Sequence, residues 1–292
     1  MASKAIGIIA NTGKHLAVRL LPSIIQELEE RGATVFLEAE TADFIGKRGG
    51  VDILELNERC SLLVVLGGDG TILNVVHRLG PNTIAKPLFG INLGHLGFMT
   101  AVSSENYLIA ADLILNESYK ISPRTVLEII VQKKQQSVAR FVALNDVSIS
   151  RGSALSRLIH LETDVDGEFL TEYHADGLVI STPTGSTAYS LAAGGPIISP
   201  AAAVFLITPI CPHVLANRPL IIDAVSTIEV RPKAGSPPEI FATIDGQATV
   251  LINPGEVVKV RKALYDIPLA VPFEFSFFNT LRQKLKWGGS TM

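Results

Sequence analysis

Five consecutive aliphatic residues, Leu62-Leu63-Val64-Val65-Leu66, run straight into Gly67-Gly68-Asp69-Gly70-Thr71 and then into the helix-compatible stretch Ile72-Leu73-Asn74-Val75-Val76. A run without polar alternation has to be covered on both faces, which is the mark of a central strand in a parallel sheet. Parallel neighbours need long crossover connections, so such a chain must also supply helices between its strands.

It does. Residues 4–10 form another such run, followed by Leu16, Leu20, Ile24 and Leu28 at helical spacing, with Gly32 as the stop. Thr34–Leu37 reads as a short strand, and the polar, glycine-rich stretch from Thr41 to Gly50 as a mobile loop. Pro87-Leu88-Phe89-Gly90-Ile91-Asn92 repeats the strand-then-glycine theme. The pattern predicts an α/β N-terminal domain with a doubly wound, Rossmann-like parallel sheet, whose functional loops lie at the carboxyl ends of the strands. Both glycine-rich segments fall there.

Past about residue 120 the periodicity shortens. Val126–Val131, Val138–Leu144, Leu158–Thr163, Ile228–Arg231, Ile240–Ile244 and Val257–Val260 are strand-like, separated by turn signals such as Asp166-Gly167 and Asn253-Pro254-Gly255. The expected division is an α/β domain over 1–120 and a β-rich domain over 121–275. The tail regains helical spacing through Leu281 and Leu285, so 276–292 is expected to pack back on the first domain.

Composition narrows the function classes. Of 292 residues, 47% are apolar and 18% charged, enough to bury a sizeable core and too few charges for a disordered chain. A formal charge of −3 and a pI near 6.1 leave no electrostatic footprint for nucleic acid, and a polybasic membrane anchor is missing. No stretch approaches the roughly 18 apolar residues of a membrane span. Cys60 and Cys211 suit core thiols in a reducing compartment, and the six histidines lack metal-site spacing. The expectation is a soluble, cytoplasmic protein without a structural metal site.

Five segments can carry chemistry. In the first, Gly67, Gly68, Gly70 and Thr71 offer a phosphate cradle at a helix start, with Asp69 as proton acceptor or magnesium holder; a plain turn with a cap is the competing reading. Walker A and GxGxxG spacings are absent. In the second, Gly90 to Thr100, Phe98 suits a base-stacking role and a core position equally, and His95 reads as structural. Asn145-Asp146 can meet an adenine edge or ribose hydroxyls, although as a lone dipeptide it is equally good turn chemistry. The fourth, Asp176 to Ser190, crowds hydroxyl side chains around a helix start, more densely than capping requires. In the fifth, Ile244-Asp245-Gly246-Gln247, the tight hairpin reading of Asp245 is favoured.

Taken together these segments resemble the NAD kinases. The landmarks are GGDGT at 67–71, GINLGHLGFMT at 90–100, ND at 145–146, DGLVISTPTGSTAYSLAAGGPI at 176–197, PICPHVLANRPL at 209–220 and DGQ at 245–247. GGDGT alone is shared with diacylglycerol and sphingoid-base kinases; TPTGSTAYS together with CPHVLANRPL is specific. The resemblance implies an α/β domain, a β-rich domain and a cleft between them for NAD, with ATP as donor, NADP as product and a divalent ion, Mg2+, as cofactor. It implies that Asp69 acts on the 2′-hydroxyl of the adenosine ribose and that Gly70 and Phe98 border the NAD site. Asn145, Asp146, Asp176, Thr187, Ala188 and Tyr189 continue the pocket, with Asp245 a further contact. Many members carry Asn-Glu where this chain has Asn145-Asp146, one methylene shorter. The family also implies a homodimer or homotetramer. A lipid kinase, a sugar-phosphate kinase and a non-catalytic NAD sensor are the rival readings; the first two would need an acyl pocket or basic residues near the motifs.

Overall fold

The aliphatic runs become the centre of a sheet. In the computed structural model, which describes residues 3–94, 96–152, 158–214, 216–233 and 239–287, the strands β1 (Ala5–Ala10), β2 (Thr34–Leu37), β3 (Leu62–Gly67) and β4 (Leu88–Asn92) are mutually parallel, β1 lying between β2 and β3 and β3 between β1 and β4. They alternate with the helices α1 (His15–Glu30), α2 (Ala39–Phe44), α3 (Ile53–Arg59) and α4 (Asp69–Leu79). The chain clusters into two units, one from Met1–Leu79, Thr83–Pro123 and Ile267–Met292, the other from Gly80–Asn82 and Arg124–Asp266.

In the first unit, period-two alternation sorts the strand residues. Ile6, Ile8, Leu62, Val64 and Leu66 pack against Ala17, Leu21, Ile24, Ile25 and Leu28 of α1 and against Ala110, Ala111 and Ile114 of the helix Tyr107–Leu115. Leu63 and Val65 point the other way and are equally buried, with α3 packed on β1 and α4 on β3. Helices therefore cover both faces, the doubly wound arrangement the runs predict. Strand Ile267–Pro272, which the sequence places in the β-rich part, joins this sheet parallel to β4. Its Leu269, Ala270 and Val271 are all buried, the burial of a central rather than a half-exposed strand.

Two local expectations change. The buried face of α1 is Ala17, Leu21, Ile24, Ile25 and Leu28, whereas Leu16 is 42% exposed. A helix turns every 3.6 residues, so each step of four overshoots by about 40°, and Leu16 ends about 120° away from Leu28. Residues 41–44 are also not loop but the end of α2. Its cap is the buried Glu38, whose Oε2 accepts from the Thr41 amide at 3.0 Å and hydroxyl at 2.9 Å, while Oε1 takes Arg78 at 2.7 Å. Gly46 and Gly49, with φ of +68° and +88°, then turn the chain.

The second unit is built from two six-stranded antiparallel sheets among the described residues. One has the order Glu168–Ala175, Ile159–Val165, Ile228–Pro232, Glu256–Lys262, Leu127–Lys133, Gln136–Ala143; the other Leu220–Asp223, Val204–Ile210, Gly177–Ser181, Asp146–Arg151, Ile240–Ile244, Ala248–Leu251. Both contribute to one core, Leu127, Ile129 and Leu161 from the first with Ile149, Leu178 and Phe205 from the second, which makes the unit a β-sandwich. Asp166-Gly167, at φ +52° and +81°, closes the predicted hairpin. Cys60 is buried as expected, but Cys211 is exposed, because strand Val204–Ile210 ends just before it and Cys211 turns away at φ +45°. Among the described residues no helix is long and apolar enough to cross a membrane.

Candidate active site

β3 ends at Gly67, and Asp69 opens α4, where a carboxylate meets the positive end of the helix dipole. Its carboxylate is held on one side by backbone. The Phe98 amide donates to Oδ2 at 2.8 Å and the Met99 amide to Oδ1 at 3.0 Å. Thr100 completes the bracket: its hydroxyl accepts from Asn92 at 2.8 Å and from the Gly97 amide at 3.1 Å and approaches Asp69 Oδ1 at 3.4 Å. A β-carbon at Gly97 would sit 1.9 Å from Oδ1, so only glycine lets the turn close on this acid. The residue remains half-buried, and Oδ2, which takes one donor, keeps a further acceptor direction.

The rest of the loop divides its labour differently from a simple phosphate cradle. The Gly68 amide donates to Thr71 Oγ1 at 3.2 Å, and Asn11, at the end of β1, donates to the same oxygen at 3.4 Å. Thr71 thus stiffens the loop, and Gly67 packs beside it, buried. Gly68 and Gly70 face open space. Gly70, Thr71, Asn11, Asn74 and Arg78 border a polar cavity of about 250 Å3 at the strand ends. Asn11, Asn74 and Arg78 were not foreseen; Asn11 had a signal in its place at the end of the first aliphatic run. The Phe98 ring rests on Phe277 of the helix Phe277–Leu285, centroids 5.8 Å apart, with Lys284 Nζ 5.8 Å from its face. His95 lies outside the described residues.

The β-sandwich carries a second constellation. Asp245 Oδ2 accepts from the Leu144 amide at 2.7 Å, and Oδ1 from Asn145 and Asp146 at 2.8 and 2.9 Å. The expected tight turn is present, at φ +48° for Asp245 and +64° for Gly246, and the same residue pins the Asn145-Asp146 bend. The Asn145 carbonyl in turn accepts from Thr182 at 2.9 Å. A methyl at Gly185 would lie 2.1 Å from that carbonyl, so the hydroxyl-rich segment folds tightly over the bend. Burial, reinforced by the neighbouring Asp245 charge, pushes the Asp146 carboxyl up to about 7 against the pull of the Tyr189 amide. Burial pushes Asp245 up to about 6, opposed by its three amide donors.

Three buried oxygens beside this bend lack hydrogen-bond partners: Asn145 Oδ1, Ser181 Oγ and Thr184 Oγ1. Such groups are rare in folded chains, and these three oxygens retain unused hydrogen-bonding capacity. Ser181 and Thr184 belong to the predicted hydroxyl-rich stretch without having been singled out. Thr187 Oγ1 donates to the Thr184 carbonyl at 3.2 Å; Thr187 and Ala188 are half-buried, and Tyr189 is exposed. Asp176 is not part of the bend. It precedes strand Gly177–Ser181, about 17 Å along the strand from Ser181, and pairs with Arg151 at 2.9 Å. Tyr189 relates to both: partial burial and the charges of Cys211, Asp146 and Asp176 raise its phenol above the ordinary value.

The chain is similar to NAD kinases along nearly its whole length. The chain is 40% identical over 285 residues to an NAD kinase from Solibacter usitatus, covering 98% of each chain. It is 38% identical to one from Trichlorobacter lovleyi, covering 98% of this chain and 99% of that one. Among solved structures, yeast NADH kinase complexed with NADH superposes with a TM-score of 0.90 at 28% identity, covering 100% of this chain and 90% of that one. An Archaeoglobus fulgidus NAD kinase in complex with ATP shares the fold, with a TM-score of 0.76 at 23% identity over 98% of this chain and 100% of that one. Residues 6–119 match the model of the ATP-NAD kinase N-terminal domain and residues 144–271 that of the C-terminal domain, and the chain belongs to this family.

Proposed function

We propose that Asp69 receives the proton of the adenosine ribose 2′-hydroxyl of NAD while that oxygen takes the γ-phosphoryl group of ATP, giving NADP and ADP. The chain is a kinase of the NAD kinase family, and the observation that supports this role is the clamp on Asp69. With both oxygens fixed by the amides of Phe98 and Met99, the carboxylate has one orientation, and the second acceptor direction of Oδ2 is left for an incoming hydroxyl. In a loose phosphoryl-transfer transition state, positioning counts for more than basicity. The O–H bond breaks as the new O–P bond forms, and the bond from the γ-phosphorus to the ADP oxygen breaks.

Gly67, Gly68, Gly70 and Thr71 shape the loop beside the transferring group, with Gly70 and Phe98 bordering NAD. The β-sandwich contributes Asn145 and Asp146, whose unpartnered Asn145 oxygen suits a ribose hydroxyl or adenine amine, with Thr187, Ala188, Tyr189 and Asp176 as further contacts. Asp245 serves by pinning the bend. Mg2+ would enter as a companion of ATP and would neutralise charge on the phosphates, with Asp69 the carboxylate that would accept from one of its waters. We also assign the protein to the cytoplasm and to a homo-oligomeric state, as the family resemblance implies.

Mixing the purified chain with Mg-ATP and NAD is the direct test, with NADP measured as product and NADH run in parallel as the alternative acceptor. Turnover to NADP is expected, and Asp69→Asn should reduce it by about 10²–10⁴-fold while NAD still binds. Absence of NADP would reject the reaction, and near-normal turnover in the variant would reject the role of Asp69.

A further inference from the structure

On the strand that leads into Asp176 and its neighbour, the outer face of the β-sandwich carries two imidazoles and a carboxylate in mutual reach. His160 lies on strand Ile159–Val165, and Glu172 and His174 on the sheet-edge strand Glu168–Ala175. The antiparallel register places His160 directly opposite His174 and Glu162 opposite Glu172. Side chains alternate, so these four share one face, while Ile159, Leu161, Tyr173 and Ala175 fill the core on the other. Glu172 Oε1 is 3.2 Å from His160 Nδ1 and 3.0 Å from His174 Nε2, and the three ligand atoms all lie within 4.8 Å of one another.

We infer that His160, Glu172 and His174 form a binding site for one divalent transition-metal ion of the zinc class. The donor set decides the class. Two imidazole nitrogens with one carboxylate oxygen suit Zn2+ and its neighbours, whereas Mg2+ and Ca2+ take oxygen ligands. Ligand bonds of about 2.0–2.2 Å at tetrahedral angles space the donors roughly 3.4 Å apart. Two of the three spacings already lie within a few tenths of an ångström of that value, and the third is no more than 4.8 Å. The site is rigidly founded, since both strands are in the sheet and the Lys233 amide donates to the His160 carbonyl at 2.9 Å. Lys233 Nζ holds the other Glu172 oxygen at 2.8 Å, orienting the carboxylate so that Oε1 faces the imidazoles. Such an orienting partner is common around metal ligands. The side chains are 37%, 27% and 41% exposed, leaving a fourth position open to water.

Titration of the metal-free, full-length protein with Zn2+ against a chromophoric chelator tests the site. One ion per chain is expected, and Co2+ should give the visible absorption of a four-coordinate complex. His160→Ala and His174→Gln should each weaken uptake by at least about tenfold and bleach the Co2+ band, with far-UV circular dichroism unchanged. Lys233→Met, which keeps all three ligands, should still bind one ion, and this separates ligand loss from general disturbance of the hairpin. No stoichiometric uptake by the wild-type chain, or uptake that neither histidine variant weakens, overturns the inference and leaves the cluster as an ion-pair network centred on Glu172.

Discussion

The two constellations use the same device to different ends. In the α/β unit, Asp69 gathers the amides of Phe98 and Met99; in the β-sandwich, Asp245 gathers those of Leu144, Asn145 and Asp146. Each acid fixes a bend remote in sequence. Asp69 takes two amides and the Thr100 hydroxyl yet stays half-buried, so the second acceptor direction of Oδ2 stays open to a substrate. Asp245 takes three and is buried beside Asp146, and burial raises both of their carboxyls. A clamp with an open side can take part in a reaction. A sealed clamp can only hold its neighbours in place, which is the role assigned to Asp245.

The sharpest way to break this contrast is to spoil the geometry of Asp69 without touching its carboxylate. Gly97→Ala puts a methyl 1.9 Å from Oδ1, and the turn or the acid must move. Turnover should fall by about 10²-fold or more, because a displacement of order 1 Å is enough to cost that much. A fully active Gly97→Ala enzyme would mean that the position of Asp69 does not matter. In the sandwich, Asp245→Asn performs the complementary experiment. Asparagine tolerates positive φ, so the turn survives, yet its amide end faces backbone donors that the carboxylate accepted. A loss of about 2–3 kcal/mol in urea unfolding is expected, with any defect in kinetics appearing in KM for NAD.

How much of this was legible follows from how far apart in sequence the partners lie. Strand, glycine turn and helix around Asp69 are local and could be read directly. That Asp69 would reach residues 98 and 99, or Asp245 residues 144 to 146, could not, because neither spacing has a periodicity that records it. Asp245 was read as a turn residue, and it is one; the second role shows only when its strand is paired with Asp146–Arg151. Ser181 and Thr184 stood out only as part of a dense group of hydroxyls, since burial without a partner is a tertiary property. The cap on α2 escaped because a glutamate performs it, anchored by Arg78 from another helix.

A gentler probe uses proton linkage. The ordinary aspartate value is 3.8, and the folded sandwich raises Asp146 to about 7 and Asp245 to about 6. Between pH about 4 and about 7 the folded chain therefore holds protons that the unfolded chain has released. Stability contributed this way is complete below the lower value, falls as pH rises through the window and levels off above it. Asp146→Asn removes one titrating group and the charge that faces Asp245, so its melting temperature should decline less over the same range, by several degrees. An identical decline in both proteins would show that the buried pair does not titrate as described.

The smallest expected effect separates two readings of Phe98, whose amide belongs to the clamp and whose ring rests on Phe277. Phe277→Leu keeps an apolar neighbour but removes the ring contact, costing about 0.5–1.5 kcal/mol of the pairing. If the pair chiefly steadies the clamp, turnover should drop by roughly two- to fivefold with KM for NAD nearly constant, because the lost interaction acts on positioning rather than on binding. If the Phe98 ring itself contacts the dinucleotide, releasing it from Phe277 should instead move KM and leave kcat alone. The same substitution thus reports whether the open side of Asp69 owes its substrate to the aromatic residue beside it or only its orientation to that residue's backbone.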